Sequence, residues 1–113
     1  MALNIVESTA TISLISDTVT PPIGTKGLEV ISVQAVWSGL TALDATMIIE
    51  ASNNGSSWNT LDADKNMIVM DTAADTQIWN ITQLQNNFVR LRYAANANTG
   101  GSAIVSFVGR GQR

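Results

Sequence analysis

The residues most informative about the fold are Thr46-Met-Ile-Ile-Glu-Ala-Ser-Asn-Asn-Gly-Ser-Ser-Trp58. In the first half of this stretch, Met47, Ile49 and Ala51 would lie on one face of a strand, and the residues between them would lie on the other. The β-branched side chains of Ile48 and Ile49 favour strands. Asn54-Gly55 is a strong hairpin signal, because both residue types tolerate a positive φ. The stretch therefore predicts a strand that ends near Ser52, a turn with Asn54-Gly55 at its tip, and a return strand that begins near Trp58.

The same alternation recurs along the rest of the chain, and no segment shows a convincing helical period. It is clearest at 31–37 and 89–93, and weaker segments lie at 67–70, 77–81 and 103–108. About eight short strands at roughly 8–12-residue spacing predict an all-β fold, an antiparallel β-sandwich of jelly-roll type. The in-phase apolar positions give the predicted core: Ile31, Val33, Ala35, Met47, Ile49, Val89, Leu91, Tyr93 and Val105.

The 113 residues are the length of one domain, which we divide into three parts. Residues 1–27 form an N-terminal arm, a first strand and a Pro/Gly loop; residues 28–109 form the sandwich core; residues 110–113 form a basic tail that we expect to be flexible. The arm carries Leu3 and Ile5. We expect this apolar surface either to add a strand to a neighbouring subunit or to pack as an edge strand of its own sandwich.

Composition argues against an enzyme and against several partners. The chain has no histidine and no cysteine, so thiolate metal sites, disulfides and histidine-based catalysis are excluded, and we expect no cofactor. Charged residues make up 13% of the chain and the net charge is −3, which argues against nucleic acid. Neither a secretion signal nor a membrane-length apolar run is visible, so we expect a soluble protein made in the cytoplasm, without a membrane partner.

Asp62-x-Asp64-x-Asn66 resembles the start of a calcium loop. Such loops need a glycine at the sixth position and a bidentate carboxylate at the twelfth, where this chain has Met67 and Ala73. Asp62 and Asp64 are therefore weak metal candidates, and a solvated acidic turn is the favoured interpretation.

Two tryptophans and two arginines are candidates for a ligand site or an interface. Trp58 follows the predicted hairpin and Trp79 lies on a strand whose faces are ambiguous, so each could offer an indole face to a sugar or could pack in the core. Arg90 and Arg92 share the polar face of one strand. They could pair with acids across the sheet or across a subunit contact, or form a solvated face that discourages aggregation.

Four segments carry a resemblance to a known class: Val33-Gln-Ala-Val-Trp37, the turn Ser52–Trp58, Phe88-Val-Arg-Leu-Arg-Tyr93, and Gly100-Gly101. Together they resemble small β-sandwich modules of phage virions, of the capsid-decoration or head-fibre type. The Ser-Asn-x-Gly-x-x-Trp hairpin is also similar to that of discoidin-like and carbohydrate-binding sandwiches.

This resemblance implies a non-enzymatic virion structural protein, a decoration, head-fibre or tail-attachment component that acts by symmetric assembly. Its partners would be further copies of itself and other viral structural proteins such as the major capsid protein. The main alternative is a carbohydrate-binding module that recognises host-surface glycans, and a third is a free β-sandwich of unknown role. An exposed tryptophan whose fluorescence shifts with sugar would distinguish the carbohydrate-binding module from the assembly protein.

Overall fold

The computed structural model describes residues 3–61, 66–82 and 84–112 of the chain. It contains ten strands: β1 (Leu3–Ser13), β2 (Thr18–Val19), β3 (Ile23–Gly24), β4 (Val30–Ser38), β5 (Thr46–Ser52), β6 (Asn59–Thr60), β7 (Ile68–Val69), β8 (Asp75–Ile81), β9 (Phe88–Ala94) and β10 (Ser102–Gln112).

The strands form two antiparallel sheets. Sheet A has the order β1-β10-β4-β8. Sheet B is built on β9 and β5, with β2 and β3 along the outer side of β9 and with β6 and β7 along the outer side of β5. The buried faces of the two sheets form one core, which confirms the predicted all-β sandwich.

The core follows the predicted alternation, and all nine predicted core residues are buried. Val33 lies across from Phe107 in sheet A, and Ile49 lies across from Leu91 in sheet B. Leu14 and Met70 are also fully buried, although they lie just outside regular strands. The inner face of each central strand was therefore predictable from period-2 patterning alone.

The strand count exceeds the predicted eight because the predicted loop at 18–27 contains two short strands, β2 and β3, along one edge of sheet B. Pro21 and Pro22 lack a backbone N–H, and they divide the predicted loop into β2 and β3. In the gap, Thr20 N–H donates to the carbonyl of Leu91 at 2.9 Å. The N–H of Leu91 donates in return to the Thr20 hydroxyl at 3.0 Å, so a side chain completes the ladder.

The opposite edge of sheet B is completed in the same way between β6 and β7. The buried amide of Asn66 accepts from the N–H of Ile49 at 2.6 Å and donates to its carbonyl at 2.7 Å. It also donates to the carbonyl of Leu61. Asn66 therefore occupies the place of a paired strand residue, and its own carbonyl accepts from the indole N–H of Trp79 at 2.6 Å.

The arm and the tail are paired with each other. β1 lies along the full length of β10, from Leu3 opposite Gln112 to Ser13 opposite Ser102. The arm is therefore the edge strand of its own sandwich, and residues 110–112, where we expected a flexible tail, are the end of β10.

Two glycines allow residues 27–28 to approach the end of β10. A Cβ atom on Gly109 would lie 2.5 Å from Cδ1 of Leu28, and one on Gly111 would collide with the carbonyl oxygen of Gly27. Because both positions lack a side chain, residues 27–28 can lie against β10. The N–H of Glu29 then donates to the carbonyl of Arg110 at 2.8 Å.

The predicted hairpin is present, with Glu50 of β5 opposite Thr60 of β6. Gly55 has a φ of 77°, whereas Asn54 keeps a negative φ. Asn54 acts through its side chain instead, because its Oδ1 accepts from the N–H groups of Ser56 and Ser57 at 2.9 and 2.8 Å. These bonds give the turn a fixed shape just before Trp58.

A second buried amide ties the loops together at one end of the sandwich. Asn98 Oδ1 accepts from the N–H of Thr41 at 2.7 Å, and its amide nitrogen donates to the Leu14 carbonyl and the Tyr93 hydroxyl at 2.7 and 2.9 Å. Burial raises the pKa of the Tyr93 hydroxyl above its ordinary value, and the bond from Asn98 only partly offsets this. The buried phenol is thus held neutral.

Candidate interaction surfaces

The outer face of sheet A is broad and nearly uncharged. Ile5, Val36, Ile78 and Ile104 are each about half exposed on it. Val36 lies directly across from Ile104, and serine, threonine and glutamine occupy most of the remaining outward positions. Among the described outward positions of the four strands, the charged residues are Glu7 and Arg110, and both lie towards the same end of the sheet.

The edges of sheet A differ from those of sheet B. β1 is eleven residues long with Glu7 as its one charge, and β8 is seven residues long with Asp75 as its one charge. Neither strand contains proline or lysine, which commonly protect sheet edges from pairing. Each is hydrogen-bonded to a neighbour on one side only within the described part of the chain. Both therefore present a continuous row of backbone donors and acceptors, whereas the edges of sheet B are interrupted.

The outer face of sheet B carries a compact charged cluster. Glu50 faces away from the core but its side chain is only 6% exposed, because Arg90 and Arg92 on the adjacent β9 cover it. Arg90 Nε and Nη2 each lie 2.9 Å from Glu50 Oε1. Arg92 Nη1 lies 3.4 Å from Oε2 and its side chain is 56% exposed. The guanidinium carbon of Arg90 is 4.1 Å from the centroid of the Trp58 ring, a cation–π distance.

A groove opens on the side of the sandwich between β8 and the edge of sheet B. Its main cleft has a volume of about 450 Å³, with Trp79, Ile49, Ile81 and Leu84 among its apolar walls. Its polar lining consists of amides and one hydroxyl: Asn66, Gln77, Asn80, Gln85, Asn86 and Thr82. A second hollow of about 280 Å³ shares Leu61 and Asn86 with the cleft and continues towards the hairpin.

The structure places the predicted site residues on different surfaces. Trp58, Arg90 and Arg92 form one cluster, and the predicted pairing of the arginines with an acid across the sheet is realised by Glu50. Trp79 is buried in the floor of the groove.

The remaining predicted residues are Leu3 and Ile5, which lie on the edge strand β1, and Asp62 and Asp64, which lie outside the described residues. Sequence reasoning missed the groove itself, since the role of Asn66 depends on a contact with Ile49 that no local pattern reveals.

Metal clusters and membrane helices are both missing from the described residues. Within these ranges no three acidic side chains come together as a potential metal site. Nor does this part of the chain form a helix that is long and apolar enough to cross a membrane.

No protein-family model matches the sequence, and no curated protein matches it. Among solved structures, the SPBc2 prophage-derived protein YomS is similar, with a TM-score of 0.55 and 11% identity over 92% of this chain and 95% of YomS. The PBSX exported protein XepA gives a TM-score of 0.60 and 17% identity over 99% of this chain and 38% of XepA, so the chain spans well under half of that protein.

A third similar structure comes from Bacillus endospore appendages, which form a family of disulfide-linked pili. It gives a TM-score of 0.53 and 11% identity over 99% of this chain and 93% of the other. At these identities the comparisons establish the sandwich fold that the chain shares with phage-derived and fibre-forming proteins.

Proposed function

We propose that this protein is a non-enzymatic virion structural component, an accessory, decoration, head-fibre or tail-attachment protein that works by symmetric association of copies. Its partners are other copies of the chain and, through them, viral structural proteins such as the major capsid protein. The observation that carries the proposal is the long, uninterrupted and nearly uncharged edge strand β1 of sheet A. Such an edge is a template for pairing with another chain.

A second copy fits this edge in an antiparallel, two-fold arrangement. When β1 is paired with itself about Ser8, Ile5 lies opposite Thr11 of the other copy and Glu7 lies opposite Thr9. No like charges then face each other directly, and the two four-stranded sheets become one continuous sheet. The half-buried Val6 and Ala10 at the rim of the core are covered at the same time.

The origins of the similar structures support an assembly role. Two of them derive from prophages, and one belongs to pili whose members are linked by disulfides. This chain has no cysteine, so its copies associate without disulfide links. Backbone pairing along an edge provides such an association, and repetition over many copies compensates for a modest single interface.

The test uses charge placed on the edge. In the variant Ile5→Glu/Thr11→Glu, two pairs of like charges face each other across the proposed contact, while the new carboxylate at position 5 lies beside Arg110 of its own copy. We expect this variant and its counterpart Ile5→Lys/Thr11→Lys each to stay monomeric in sedimentation experiments. An equal mixture of the two should associate, because opposite charges then meet. The control Ile15→Glu/Leu43→Glu changes two exposed loop residues and should associate like the wild type.

The virion part of the proposal is tested separately by counting copies of the protein in purified particles by quantitative mass spectrometry. We expect a fixed stoichiometry relative to the major capsid protein. Absence from particles overturns the virion role, and a wild-type protein that is monomeric at every concentration overturns the β1 contact.

A further inference from the structure

We propose that the groove beside β8 binds a neutral glycan, with Asn59 and Gln85 as direct ligands of its hydroxyl groups. This inference is independent of the assembly role, since the groove lies beside β8 and the proposed contact uses β1 at the opposite edge of sheet A.

The chemistry of the lining selects the ligand class. Every described polar side chain in the cleft and in the adjoining hollow is an amide or a hydroxyl, and none is ionisable. Amides offer a donor and an acceptor on one rigid plane, which suits sugar hydroxyls that also donate and accept. No described side chain of the lining offers an ion-pair partner to a charged ligand, which favours a neutral one.

Some side chains of the groove are hydrogen-bonded within the protein and hold its shape, whereas others are free to bind a ligand. Asn66 is committed to Ile49 and Leu61, and Trp79 is fixed by its bond to the Asn66 carbonyl, so the floor is rigid. By contrast, the side chains of Gln85 in the cleft and Asn59 in the adjoining hollow have no hydrogen-bond partner within the described part of the protein. A rigid apolar floor beside free polar groups is the usual composition of a small-molecule site.

The dimensions agree with a ligand of a few sugar units. The main cleft, of about 450 Å³, lies within the range of about 300–1,000 Å³ that is typical of ligand sites. The hollow extends the path by about 280 Å³ and adds the side chain of Asn59 to it. An extended peptide is the rival occupant, because the backbone edge of β8 runs along the same cleft.

The experiment measures binding to the full-length protein by calorimetry and by tryptophan fluorescence. The probes are the neutral oligosaccharides maltohexaose, cellohexaose and chitohexaose, an oligogalacturonate as the acidic counterpart, and a synthetic peptide with the sequence of residues 3–13. We expect one or more of the neutral sugars to bind, with an affinity that changes less than about twofold between low and high salt, because the described lining holds no charged side chain.

The variant Asn59→Ala/Gln85→Ala should weaken that binding by about tenfold or more, since two hydrogen bonds are lost. Both residues are exposed, so its melting temperature should match that of the wild type. The control Gln34→Ala removes an exposed amide on the outer face of sheet A and should leave binding unchanged. The inference is overturned if no neutral sugar binds at millimolar concentration, if only the oligogalacturonate or the peptide binds, or if the control weakens binding as much as the double variant.

Discussion

Arg90 and Arg92 provide a matched comparison of buried and exposed ion pairing in one protein. They lie two positions apart on β9 and share the carboxylate of Glu50. Arg90 makes two contacts of 2.9 Å and stacks on Trp58, with 21% of its side chain exposed. Arg92 makes one contact of 3.4 Å and is mostly in solvent. Equal charge and a common partner therefore leave geometry and burial as the main differences.

We expect Arg90→Ala to lower the free energy of unfolding by about 3 kcal/mol. The loss combines a charge-assisted contact of two guanidinium nitrogens with Oε1 of Glu50, a cation–π contact worth about 0.5–1 kcal/mol, and a buried carboxylate left with one distant partner. Arg92→Ala should cost less than about 1 kcal/mol, the usual value for an exposed pair, and 1 M salt should reduce that cost further.

The assay is urea unfolding of the wild type, both single variants and each combination with Glu50→Gln, followed by tryptophan fluorescence. If the slope of the transition is shared, the midpoints report stability directly. The double-mutant cycles should give a larger coupling energy for the pair of Glu50 with Arg90 than for its pair with Arg92. A cost for Arg92→Ala equal to that of Arg90→Ala would refute the reasoning, as would two costs below about 0.5 kcal/mol.

The packing, the turn and the titratable groups each lead to a further prediction. Leu91→Ala, at a fully buried position, should cost about 2–5 kcal/mol in chemical denaturation, and a cost near that of a surface change would mean that the β9 face lies outside the core. Gly55→Val should destabilise by about 1 kcal/mol or more because a β-branched residue resists the φ of 77°, and Ser56→Val is its control in the same turn. Because burial raises the pKa of Tyr93 above its unfolded value near 10.0, the folded protein keeps the phenol proton longer than the unfolded chain does. The stability from Tyr93 should thus be complete below about pH 10 and fall at higher pH, and Tyr93→Phe should lose this alkaline decline. A chelator should leave the melting temperature unchanged, and a drop that calcium reverses would instead implicate Asp62 and Asp64.

Local patterns in the amino-acid sequence are enough to predict the class of fold, the inner face of each central strand and the hairpin at Gly55. These features follow from local rules, since alternation assigns each side chain to a face and a positive φ favours glycine. The shared polar face of Arg90 and Arg92 was predictable for the same reason.

Two features depend on contacts between distant parts of the chain: the pairing of the N-terminal arm with the C-terminal tail, and the groove between the sheets. The N-terminal arm and the C-terminal tail are far apart in sequence, so no local pattern reveals their pairing as β1 and β10. The approach of residues 27–28 to the end of β10, which Gly109 and Gly111 permit, is likewise a contact between distant segments. Asn66 completes a strand, and Glu50 becomes buried on a surface face, only because distant segments meet there. Local patterns encode the face to which a residue points, whereas strand neighbours are set by packing over the whole chain.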